Sequence, residues 1–185
     1  MKKACGRHPG ASAPIPAQDD MERLRNLEEK AAALSREFES LESDDVAAFE
    51  GYLHACRMPR STPEEKRARD TARAAAATRA TSVPMATLEA ARDALLTAEA
   101  LLELSRRTPL GAESDLFAAV ELASSCFRAA ELNVAVNLPQ LPSEEATAAR
   151  ERWIRLRTEI DDLCARLRAA APVPEGVQAP WTKRK

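Results

Sequence analysis

Asp45 occupies a position where the helical pattern of the chain calls for an apolar side chain. Leu24, Leu27, Ala31, Leu34, Phe38 and Leu41 recur at alternating steps of three and four, the stripe of a core-facing helix. The next steps fall on Asp45, then Ala48 or Phe49, then Tyr52. On an unbroken helix this stripe turns a carboxylate toward the core side of a bundle. A carboxylate taken out of water must find a partner or raise its pKa, and a raised carboxyl group is what acid–base chemistry uses. A second reading stands beside it. Ser43 and Asp44 are good N-cap residues, so the helix could end near Ser40 and restart, leaving Asp45 as a first-turn acid facing a helix dipole.

Asn133 and Asn137 are the next residues able to do chemistry. They lie four apart on one helical face, beside an apolar stripe. Buried amides need partners, so the pair reads as cross-helix clamps or as ligand contacts, and the pattern favours clamps. Cys5, Cys56, Cys126 and Cys164 are far apart and have no ligand spacing, and His8 and His54 are too scattered for a metal site. His54 falls nine residues after Asp45, about 180° round the helix, and is expected to face solvent.

The elements that must position these residues are helices. Ala, Arg, Glu and Leu dominate the 185 residues, Gly occurs only five times, and Asn133–Leu138 is the only strand candidate. The fold class is all-α, a bundle of about five helices. The net charge of −2, with both signs interspersed, offers no electrostatic footprint for nucleic acid and no polybasic face for a membrane. No apolar run approaches a membrane span and no hydrophobic stretch follows Met1-Lys2-Lys3, so the expected compartment is the cytoplasm.

Residues 1–18 read as a disordered leader, 19–170 as one helical domain, and 171–185 as a disordered tail. The first helix runs from about Asp20 to Cys56. Thr62-Pro63-Glu64-Glu65 then forms a strong start: Thr as N-cap, Pro at the first position, and Glu closing a capping box. That alanine-rich helix is expected to reach Thr81, with Pro84 opening a third helix to about Arg107. Ser114-Asp115 reads as the cap of a fourth helix reaching Asn133–Leu138. Its small residues, among them Ala118, Ala119, Ser125 and Ala129, place it at the centre of the bundle or at a subunit contact. Ser143 caps the last helix, where Trp153, Leu156, Ile160, Leu163 and Leu167 make a narrow seam.

Several segments together resemble the cyclodeaminase/cyclohydrolase family of folate enzymes, over about Leu24 to Leu167. They are Asp44-Asp45-Val46-Ala47-Ala48-Phe49; Met58-Pro59-Arg60-Ser61-Thr62-Pro63-Glu64-Glu65-Lys66; Thr81-Ser82-Val83-Pro84; Ser114-Asp115-Leu116; and Asn133-Val134-Ala135-Val136-Asn137-Leu138. The resemblance implies an all-helical homodimer acting on a one-carbon unit held between two folate nitrogens. It would either cyclise formiminotetrahydrofolate with loss of ammonia or hydrolyse methenyltetrahydrofolate to the formyl form. No cofactor is implied beyond the tetrahydrofolate derivative, which is itself the substrate. The family's catalytic aspartate maps onto Asp45, and Ser114, Asp115, Asn133 and Asn137 match family positions expected to contact substrate. Asp115 and Asn133 are eighteen residues apart, roughly 27 Å along one helix, so they cannot meet one carbon within a single chain.

The chain departs from the family at its start. Gly6, Pro9, Gly10 and Ser12 stand where the family usually has a Pro-Gly-Gly-Gly-Ser segment leading into an alanine-rich helix. Loss of that element would remove part of the folate pocket and leave a seam of the bundle uncovered, and two alternatives stay in play: a degenerate, non-catalytic bundle acting as a binding or regulatory module, and an active protein whose true start lies upstream of Met1.

Overall fold

In a computed structural model the described residues are 18–107 and 111–171. They form four long helices: α1 (Gln18–Arg57), α2 (Pro63–Ser105), α3 (Glu113–Asn137) and α4 (Ser143–Ala169), with a 3-10 turn at Leu138–Gln140 before the last. The expected leader, tail, Cys5 and His8 lie outside the described residues.

The first helix does not break near Ser40. The Ser43 hydroxyl donates back to the Glu39 carbonyl at 3.3 Å, the alternative to capping a new start, and the helix runs on through Asp44 and Asp45. The turn into α2 follows its sequence signature. Thr62 Oγ1 accepts from the Glu65 N–H at 3.2 Å, and Glu65 Oε2 accepts from the Thr62 N–H at 3.1 Å and the Ser61 N–H at 2.6 Å.

Three expected boundaries are wrong, the simplest being that Ser143 does not cap α4 but is its first residue, with Pro142 as the N-cap and no side-chain cap bond. Pro84 does not open a helix: it lies inside α2, which is why four helices stand where five were expected. An internal proline costs a helical hydrogen bond and crowds the preceding turn, typically about 3 kcal/mol. Here Thr81, Val83, Pro84, Met85 and Leu88 are all buried, so tertiary packing on both sides of the proline holds the helix together. Ser114 does not cap α3 either. The helix begins one residue earlier, Ala112 is the N-cap without a side-chain bond, and Ser114 and Asp115 are exposed in the first turn. The Asn133–Leu138 run is helical to Asn137 and then enters the 3-10 turn.

The central element is α2, not α3. Its Leu88, Ala91, Leu95, Ala98 and Leu102 pack with Val120, Phe127 and Val134 of α3 and the seam Leu156, Ile160, Leu163 and Leu167 of α4. Burying such side chains supplies the main favourable term, about 1.5–3 kcal/mol for each large one. The first helix packs along α2, to which Arg23–Glu103 and Arg79–Asp44 ion pairs pin it. It does not pack along α3 or α4. Its stripe is accordingly half-buried at Leu24, Leu27, Phe38 and Leu41, with Leu34 alone of the six fully buried. The small residues Ala118, Ala119, Ser125 and Ala129 of α3 are exposed.

Candidate functional site

Because the backbones of α1 and α3 flank α2 without packing along each other, a groove opens between them with α2 as its floor. One part is a cavity of about 270 Å³. Phe38, Glu42 and Asp45 form its α1 wall, Pro84 and Thr87 its floor, and Cys126 and Asn133 belong to its α3 wall. The second part is apolar and larger, about 610 Å³, lined by Leu34, Leu101, Leu116 and Leu122 among others. Phe38 and Cys126 line both, so the two parts share a boundary.

Asp45 is therefore on the expected face but not in the core. It is exposed at the open groove, because among the described residues only α2 packs along α1. Its neighbour Asp44 is half-buried and held by Arg79 at 3.4 Å, which leaves Asp45 as the carboxylate presented to the cavity. Glu42, one turn earlier, lines the same space. The signal for it was the i, i+3 spacing to Asp45, which places two side chains on one face about 5–6 Å apart at Cβ. The Cys126 thiol is pushed up by burial, so at neutral pH it contributes a protonated, weakly polar wall.

The two asparagines divide. Asn133 is exposed and faces Asp45 across the cavity from α3. Asn137 is half-buried, and its Nδ2 donates to the Ala80 carbonyl of α2 at 2.6 Å, a clamp between helices. Ser114 and Asp115 stay at the opposite end of α3, about 27 Å from Asn133 along the axis, and neither lines the cavity. The Asp115 carboxylate there complements the positive end of the helix dipole. His54 is exposed, as the helical angle required. Among the described residues no three His, Cys, Asp or Glu side chains are grouped to hold a metal ion.

A second polar cluster lies further along α1, where Tyr52, Asp70, Arg73 and Gln140 line a cavity of about 190 Å³. Tyr52 donates to Gln140 Oε1 at 3.3 Å, and the hydroxyl of Tyr52 beside Arg73 raises that guanidinium above its ordinary value. Arg69 donates from Nε and Nη2 to the Cys56 carbonyl at 3.2 and 3.0 Å, tying the end of α1 to α2.

An all-helical bundle that brings two carboxylates, Asp45 and Glu42, and one amide, Asn133, to a single groove has the groups that acid–base chemistry on a small molecule uses. The chain belongs to the formiminotransferase-cyclodeaminase family, whose model matches residues 16–155. It is 35% identical to a methenyltetrahydrofolate cyclohydrolase of Methylorubrum extorquens over 129 residues, 70% of this chain and 60% of that protein. It is 33% identical to a formimidoyltransferase-cyclodeaminase of Sus scrofa over 129 residues, 70% of this chain and 23% of that one. The chain thus matches less than two thirds of the length of either relative. A formiminotetrahydrofolate cyclodeaminase of Thermotoga maritima shares the fold, with a TM-score of 0.68 at 21% identity over 83% of this chain and 72% of that chain.

Proposed function

We propose that this chain is a folate one-carbon enzyme of the cyclodeaminase/cyclohydrolase type. The observation that carries the reading is the placement of Asp45 opposite Asn133 in one cavity, in a chain of this family. In the hydrolytic direction, water adds to the methenyl carbon of a delocalised cation. Asp45 takes one water proton as the tetrahedral carbon forms and gives it to the folate nitrogen whose bond to that carbon breaks, while the remaining hydroxyl proton passes to solvent as the formyl C=O forms. In the cyclising direction, a folate nitrogen attacks the formimino carbon, Asp45 relays its proton to the departing nitrogen, and ammonia leaves. The anionic carboxylate also stabilises the methenyl cation electrostatically. Asn133 is suited to orient the carbonyl or amine of the reacting unit, since its amide both donates and accepts. The apolar part of the groove gives the rest of an extended, aromatic substrate a surface to lie against. Ser114 and Asp115, remote from this cavity within one chain, are proposed as substrate contacts only of a pocket that a second subunit completes.

The same reading takes the protein as a cytoplasmic homodimer. Leu122, Leu132 and Val136 of α3 and Val46 and Phe49 of α1 are exposed apolar side chains, a surface that supports pairing of two copies. No helix among the described residues is long and apolar enough to cross a membrane.

Purified protein given methenyltetrahydrofolate and, separately, formiminotetrahydrofolate tests the proposal. Loss of the methenyl absorbance identifies a cyclohydrolase, and ammonia release with appearance of that absorbance identifies a cyclodeaminase. A folded, helical protein that does neither is the non-catalytic bundle.

A further inference from the structure

The Asn137 clamp meets a specific gap in α2. In a regular helix the N–H of residue 84 would donate to the carbonyl of residue 80, but Pro84 has no N–H and its ring crowds that carbonyl. Ala80 is the acceptor left over, and the Asn137 amide donates to it at 2.6 Å. The neighbouring turns show the same adjustment from within: Thr81 Oγ1 donates to the Ala77 carbonyl at 2.9 Å, Ser82 Oγ to Arg79 at 2.9 Å and Thr87 Oγ1 to Val83 at 3.1 Å. Of these four α2 carbonyls, that of Ala80 takes its side-chain donor from another helix.

The position of that bond gives it a consequence. Ala80 lies one turn before Pro84, and Asn137 lies one turn after Asn133. Pro84 and Asn133 themselves line the Asp45 cavity, as do Thr87 and Cys126 further along each helix. The bond therefore fixes α2 and α3 in register immediately beside the floor and one wall of the site. We infer that Asn137 is a positioning residue: it supplies the donor that Pro84 lacks and so holds Asn133 and Cys126 in place opposite Asp45. Its effect on turnover rests on the proposed function; the coupling to Pro84 does not.

The test is a double-mutant cycle on the full chain, because Pro84→Ala returns a backbone N–H to Ala80 and makes the side-chain donor redundant. Asn137→Ala alone should shift the unfolding equilibrium by roughly five- to thirty-fold in urea, the cost of a half-buried acceptor left without its donor. The same substitution in the Pro84→Ala background should shift it less than three-fold. Alkylation of Cys126 by iodoacetamide, read on its peptide by mass spectrometry, should speed up several-fold in Asn137→Ala and not in the double variant. Turnover of methenyltetrahydrofolate should lose kcat with KM nearly unchanged in Asn137→Ala, and lose none on adding that change to Pro84→Ala. If Asn137→Ala leaves too little folded protein, Asn137→Asp serves in its place: it keeps the size, loses the donor at neutral pH, and should recover stability in acid as the carboxyl protonates. Equal effects of Asn137→Ala in both backgrounds, or unchanged Cys126 reactivity, overturn the positioning role. Absence of turnover in the wild type overturns the proposed function alone, since the unfolding and alkylation cycles read the coupling without it.

Discussion

Two carboxylates on opposite sides of the bundle show how differently this fold treats an acidic group. Glu131 of α3 is 5% exposed and faces α4, where the Trp153 Nε1–H donates to its Oε1 at 2.8 Å, the Arg128 guanidinium to its Oε2 at 2.9 Å, and Arg157 to Oε1. The Arg157 guanidinium also lies over the Trp153 ring, 4.6 Å from its centroid. Burial works against the charge of Glu131, but these three donors outweigh it and hold the carboxyl below its ordinary range. Asp45 of α1 has the opposite setting, an exposed position in a groove that α1 and α3 leave between them. A carboxylate whose lone pairs are filled by the protein is a structural element. One that opens onto a cavity keeps its capacity to take and give protons.

The contrast can be broken by exchanging the two roles. Asp45→Asn should lower kcat by about 100-fold or more, the lower end of what a positioned acid–base group contributes, with unfolding free energy unchanged within about 0.5 kcal/mol. Glu131→Gln should do the reverse. It leaves Arg157, Arg128 and the Trp153 N–H with a poorer acceptor, costing about 2 kcal/mol in urea unfolding. Solvent screens both pairs, since the Arg157 and Arg128 side chains are nearly half exposed, 46% and 47%.

A pH titration sharpens the comparison further. The folded pKa of Glu131 is depressed, so its contribution is fully present above the unfolded value near 4.5 and is lost as pH falls through the lower folded value. Stability of the wild type should therefore decline below about pH 4.5 more steeply than that of Glu131→Gln, read by unfolding midpoints across the acid range. The smallest effect is expected at Glu42, which lines the same cavity one turn before Asp45. Glu42→Gln should change kcat by about three-fold or less, an effect well short of that of a positioned acid–base group.

The sequence was most readable where local chemistry and tertiary structure agree. The Thr62–Glu65 capping box forms with both reciprocal bonds, and the α4 seam from Leu156 to Leu167 is buried at every step. The face of α1 that carries Asp45 was readable too, because 3.6-residue periodicity fixes which side chains share a side. What covers that face was not. The stripe of α1 has the composition of a core face, yet among the described residues only α2 packs along it, so burial stops at Leu34, Ala48 and Ala55.

Pro84 was misread as a helix start because its missing donor is replaced by Asn137, 53 residues away in sequence and legible only once the helices are docked. Ser114 was misread as a cap for a complementary reason: the Leu116 N–H bonds to the Ala112 carbonyl at 3.0 Å, so Ala112 is the N-cap and the helix starts one residue before Ser114 without a side-chain cap. Glu131 drew no attention in the pattern. Its importance comes from Trp153 and Arg157 on the facing helix, not from its own neighbours in the chain.

The central claim is that the open carboxylate does the chemistry. The most direct measurement is the rate of methenyltetrahydrofolate absorbance loss catalysed by wild type and Asp45→Asn at equal concentration, with far-ultraviolet circular dichroism confirming equal helicity. The account predicts turnover by the wild type and its collapse by about 100-fold or more in the variant. Turnover by Asp45→Asn within three-fold of the wild type would contradict it and move the search for the acid–base group elsewhere in the groove.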